Sequence, residues 1–176
     1  MTTFQSARVT STPAFAVPLF VARAIGLSLI IAASAHISVP FWPVPMTLQT
    51  FAVMAIAGVC GARLGFAAML ATLVEGAMGL PVFATGAGLG VLAGPTAGYL
   101  GGMLVATLIV GSAQGAWSRA AAILMSTVLI YFAGATWLAT FIGLDKALDA
   151  GVLPFLAGDA AKGALAWALA TALRRT

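Results

Sequence analysis

The chain has 176 residues, of which 62% are hydrophobic and 7% charged, with a formal net charge of +4. Soluble domains carry about 25% charged residues, so this composition excludes an ordinary soluble domain and describes an integral membrane protein. The positive balance does not indicate nucleic acid, because the basic residues are scattered singly, and the lone cysteine, Cys60, excludes an internal disulfide.

The length suits one domain of about six helices of roughly 20 residues each. Residues 1–17 are polar, rich in Ser and Thr, and read as a mobile cytoplasmic tail; residues 18–176 read as the six-helix transmembrane domain. The first span is expected over 18–38. Ala24, Ser28 and Ala32 recur on it at every fourth residue, as do Ala22 and Gly26, giving faces on which another helix can approach closely. Packing inside the chain and docking of an outside partner both use such a face. Residues 39–46, V-P-F-W-P-V-P-M, carry three prolines that cannot continue a helix, so a rigid loop is expected. Phe41 and Trp42 there are either an interfacial aromatic belt or a lid over a pocket.

The second span, 47–60, has Gln49 near its start, and a turn at 61–63 leads to a third span, 64–80, with Glu75 near its far end. Residues 81–95 are too rich in glycine for a regular helix and too apolar to float in water. A loop tucked against the bundle fits both facts, since irregular backbone at membrane depth needs protein or water to satisfy it. These glycines do not make a phosphate-binding signature, and His36 has no HExxH-like companion, so no metal, cofactor or catalytic centre is expected. A fourth span over 96–111 follows Gly94, and Gly94, Gly98 and Gly102 form a small-residue seam beside Tyr99. After a turn at 112–119 come a fifth span, 120–142, a loop at 143–151 and the sixth span within 152–173.

That last stretch, V-L-P-F-L-A-G-D-A-A-K-G-A-L-A-W-A-L-A-T-A-L, carries Asp159 and Lys162 where a lipid-facing segment carries no charge. At about 1.5 Å rise per residue the two lie roughly 7 Å and 12 Å below the Pro154 end, and residues three apart share a face. A charge in hydrocarbon costs at least about 2.5 to 3.5 kcal/mol, so that face should meet protein, water or a ligand. A mutual salt bridge with Lys162 snorkelling to the interface is the plainer alternative. Arg8, Arg23, Arg63, Arg119, Arg174 and Arg175 fall on the side of the termini, whereas the opposite loops hold only Lys146, between Asp145 and Asp149. The positive-inside rule then places both termini in the cytoplasm, and Gln49, Glu75, Thr85, Tyr99, Asp159 and Lys162 converge near the outer surface as a pocket.

Four stretches in order, P-V-P-M-T-L-Q-T at 43–50, G-L-P-V-F-A-T-G-A-G at 79–88, G-P-T-A-G-Y-L at 94–100 and P-F-L-A-G-D-A-A-K at 154–162, resemble the BioY family. These are the biotin-specific substrate-binding (S) components of energy-coupling-factor (ECF) vitamin transporters. The resemblance implies a non-enzymatic, multi-pass subunit of the inner (plasma) membrane that captures biotin with high affinity on its outward side. Asp159 and Lys162 would contact biotin, with Gln49, Tyr99, Thr85 and Trp42 as further ligand-binding candidates. A transmembrane coupling protein and paired ATPases would dock on it, with Ala24, Ser28 and Ala32 forming part of that contact. Glu75 is a second candidate partner for Lys162. A solitary proton-coupled carrier for biotin or a similar carboxylate, with Glu75, Asp159 and Lys162 as a relay, is the rival reading.

Overall fold

The computed structural model describes residues 16–174; most of the expected tail, with Arg8, and Arg175 lie outside the described residues. Helix α1, Ala16–His36, leads into a short antiparallel pair, β1 Ser38–Val39 with β2 Met46–Thr47, in which Ser38 faces Thr47 and Val39 faces Met46. Then follow α2 Gln49–Cys60, α3 Ala62–Ala77, α4 Leu89–Leu92, α5 Ala97–Ser112, α6 Ala116–Ile142, α7 Leu144–Gly151, a 3-10 turn Leu153–Phe155 and α8 Leu156–Leu173. Among the described residues, Ala16–His36, Ala116–Ile142 and Leu144–Leu173 are helical stretches long and apolar enough to cross a membrane. The protein is an integral membrane protein, and the large apolar side chains left exposed on α1, α6 and α8, such as Leu29, Phe132 and Leu165, are its lipid-facing surface.

Three helices, α2, α3 and α5, are short for spans. The 12 residues of α2 cover about 18 Å of a hydrocarbon core of about 30 Å. Gly61, with φ of 88°, turns the chain sharply into α3, whose Gly65 lies so close to Ala57 that an added Cβ would stand 2.9 Å from its Cα. With α2 and α3 joined tightly at one end, the Gln49 end of α2 stops short of the opposite surface. The β1–β2 hairpin and the 81–95 segment fill the space above it.

Residues 81–95, expected as an irregular loop tucked against the bundle, include the one-turn helix α4, and only their start is buried. Val82 and Phe83 are buried, the Phe83 ring lies against Gly76, and the irregular backbone is satisfied by the Gly88 N–H donating to Gly76 O at 2.8 Å. His36 Nε2 lies 2.8 Å from Pro81 O, tying the end of α1 to this segment. The expected loop at 143–151 is instead the helix α7, which starts directly after Gly143 and turns Ala147 and Gly151 inward while Asp145, Lys146 and Asp149 face outward. Charges that suggested a loop are the solvated face of an amphipathic helix.

Small residues set the helix spacings. On α5, Gly98 presses on Ala133 O and the Trp137 side chain of α6, and a Cβ at Gly102 would stand 2.9 Å from Ile130 Cα. Gly94 precedes the helix and joins through its carbonyl, which accepts from Trp137 Nε1 at 2.9 Å. The stripe of Ala24, Ser28 and Ala32 corrects the expectation of a partner-facing surface. All three are buried, Ser28 donates to Glu75 Oε1 on α3 at 2.7 Å, and Thr72 Oγ1 of α3 lies 3.5 Å from Ser28 O. An outside helix would have to displace α3 to reach them. The α1 face left open carries Ala22 and Gly26, and a Cβ at Gly26 would meet nothing within 4 Å.

Candidate functional site

Asp159 sits in the first turn of α8, where the helix dipole favours a carboxylate, and is 5% exposed. Lys162, one turn further on, donates from Nζ to Asp159 Oδ1 at 2.7 Å and to Thr47 O at 2.8 Å. Thr50 Oγ1 of α2 donates to the same Oδ1 at 3.2 Å, and the Tyr131 hydroxyl of α6 donates to Oδ2 at 2.8 Å. The mutual salt bridge is therefore formed, and it is also held in place from α2, α6 and the hairpin. An ammonium has three N–H donors, so Lys162 keeps one beyond these two contacts.

These groups lie on the wall of a cavity of about 60 Å³. Gln49, Tyr99 and Thr85 line it too, as do Met46, Phe83, Met103 and Phe155, which give it apolar sides. Gln49 is 3% exposed and its Nε2 has no hydrogen-bond partner among the described residues. A buried amide donor left open on a cavity wall is suited to an acceptor brought by a ligand. The Tyr99 hydroxyl is already engaged, donating to Gly151 O at 2.8 Å, while its ring packs against Gly134 and lines the cavity.

Two expected residues fall elsewhere. Trp42 is 83% exposed and stands outside the cavity, beside Lys146 and Asp149 of α7, because the hairpin turns residues 44–47 inward and its tip outward. Glu75 is bonded to Ser28 on the α1–α3 seam and does not line the cavity, so Lys162 pairs with Asp159 and not with Glu75. Sequence reasoning missed Thr50 and Tyr131. The signals were a Gln-Thr pair opening an apolar helix and the fact that the chain has only two tyrosines, both of which prove to line this cavity.

Residues 7–176 match the sequence profile of the BioY family. The chain is 43% identical to the probable biotin transporter BioY of Pyrococcus horikoshii, over 80% of this chain and 86% of that one. It is 36% identical to the biotin transporter BioY of Thermotoga maritima, over 83% and 90% of the two chains. The fold is similar to the crystal structure of the S-component for biotin from an ECF-type ABC transporter, with a TM-score of 0.80, 24% identity and coverage of 94% and 96% of the respective chains. With the profile spanning nearly its whole length, the chain belongs to the BioY family.

Proposed function

We propose that this chain is the biotin-binding membrane subunit of an ECF-type vitamin uptake transporter. It crosses the plasma membrane six times with both termini in the cytoplasm, residues 18–176 form the substrate domain, and the cavity faces outward. The reading is supported by the names of the relatives, by the S-component fold, and by the placement of Arg23, Arg63, Arg119 and Arg174 at the end of the bundle away from the hairpin. The observation that carries the site is the Asp159–Lys162 pair beside the open Gln49 amide in one cavity. Biotin brings a neutral ureido ring with two N–H donors and a carbonyl, a thioether ring and a carboxylate. Asp159 accepts from the ureido ring, Lys162 donates to the carboxylate, Gln49 donates to a ligand oxygen, and the aromatic lining covers the rings.

At about 60 Å³ the cavity is well below the roughly 300 to 1,000 Å³ of small-molecule sites, so the lining parts to admit the ligand. The hairpin residues 44–47 and the 83–85 segment are the longest parts of the wall not built on a helix, and they open and close over it. No ATP-binding motif is present in the chain, so transport driven by ATP is supplied by a coupling protein and ATPases that meet it from outside, on the open Ala22/Gly26 face of α1.

The test uses purified protein with biotin and its methyl ester. Lys162→Met weakens biotin binding by about 2 to 5 kcal/mol, the usual loss when one partner of a desolvated charge pair is truncated, and weakens the ester much less. Equal losses for the two ligands would show that Lys162 serves Asp159 alone. Failure of the wild-type chain to bind biotin saturably would overturn the function itself.

A further inference from the structure

On the side of α6 and α8 turned away from the bundle runs an apolar groove of about 590 Å³, walled by bulky residues of α6, Leu124 and Val128 among them, and by the small residues Ala160, Gly163 and Ala164 of α8. We infer that this groove is a binding site for one acyl chain of a membrane phospholipid.

Its dimensions and setting select that occupant. On α6 it extends from Trp117 to Tyr131, about 21 Å, and on α8 from Leu156 to Trp167, about 16 Å; one leaflet of a hydrocarbon core of about 30 Å is about 15 Å deep. At one end stand Trp117, 87% exposed, and Trp167, whose Nε1 donates to Ala116 O at 2.8 Å. Paired indoles at the end of a span mark the level of the headgroups, so the chain enters there and runs toward the membrane centre. The floor is closed, since a Cβ at Gly163 would stand 3.2 Å from Ile123 Cγ2. The α6 wall is uneven, with Ile123, Leu124 and Val128 standing beside the smaller Ala120 and Thr127, and a flexible hydrocarbon chain follows such a surface more closely than a straight helix about 10 Å across.

The far end of the groove adjoins the ligand cavity. Tyr131 and Asp159 line both the groove and the cavity, and their 2.8 Å hydrogen bond is the partition between them. A chain seated in the groove covers the lipid side of that partition and excludes water from the Asp159–Lys162 pair.

Native mass spectrometry of detergent-purified protein tests the site without reference to biotin. The wild-type chain is expected to retain a bound phospholipid, Ala164→Phe, which fills the groove from α8, to lose it, and Val105→Phe, an equally bulky change on the exposed face of α5, to keep it. If Ala164→Phe does not fold, Leu124→Trp narrows the same groove from α6 at a 68% exposed position and should have the same effect. Retention by every variant, or no retained lipid in the wild type, overturns the proposal. So does a wild-type dimer that Ala164→Phe dissociates, because the occupant would then be a second copy of this chain.

Discussion

Asp159 receives three donors on two oxygens, and Tyr131 is the only one of them on Oδ2. Tyr131→Phe removes a hydrogen bond to a charged group, worth about 1.5 to 3 kcal/mol, and frees the carboxylate to swing. Biotin and its methyl ester should therefore both bind at least about tenfold more weakly, in contrast to the ester-sparing effect expected of Lys162→Met. An unchanged affinity, measured by titration calorimetry, would mean that Thr50 and Lys162 suffice to hold Asp159. Glu75 tests the opposite expectation. Glutamine there keeps the oxygen that accepts from Ser28 and removes an ionisable group from the membrane, so Glu75→Gln should leave biotin affinity unchanged and the melting temperature no lower. A fall in affinity would return Glu75 to the binding route and favour a proton relay. At this scale Asp159 and Lys162 were legible in the sequence because charge inside an apolar span is costly enough to demand a reason. Tyr131 was not, since a tyrosine is at home in a span whether or not it bonds to anything, and the stripe of Ala24, Ser28 and Ala32 announces close packing without saying which helix packs there.

The helices were legible as apolar runs, and their ends only roughly, because proline and glycine mark where a run breaks more sharply than where helical hydrogen bonding stops. The helix α7 was missed for a physical reason: over eight residues its amphipathic period has barely two turns in which to show, and the glycines at 143 and 151 resemble loop punctuation. The glycine seam between α5 and α6 was legible, and it yields a paired test. Gly98→Ala drives a methyl into the backbone of α6 at Ala133, where no side-chain rotation relieves it, and should lower stability by about 1 to 3 kcal/mol. Gly101→Ala, on the same helix with nothing within 4 Å of its Cβ position, should hold or raise stability through the roughly 1 kcal/mol helix preference of alanine. Equal melting temperatures for the two variants would show that the α5–α6 contact is looser than the backbone spacing implies.

For the molecule as a whole, the number of crossings decides which way the cavity opens. Six crossings require α2, α3 and α5, of 12, 16 and 16 residues, to count as spans although each is shorter than the hydrocarbon core is thick. The charges support that count, because Arg23, Arg63, Arg119 and Arg174 gather at one end of the bundle while the hairpin, the 81–95 segment and α7 lie at the other. Cys60 is exposed at the arginine end, beside Arg174 and Arg23, and Trp42 is exposed at the hairpin tip. A membrane-impermeant maleimide should therefore label Cys60 in inverted vesicles and not in intact cells. In a chain carrying Cys60→Ala and Trp42→Cys the pattern should reverse, with labelling from outside. Labelling of both positions from the same side would mean that α2 does not cross. Cys60 reacting from outside and position 42 from inside would place the hairpin in the cytoplasm, and the cavity would then face the compartment to which an uptake subunit must deliver its ligand, not the one from which it must capture it.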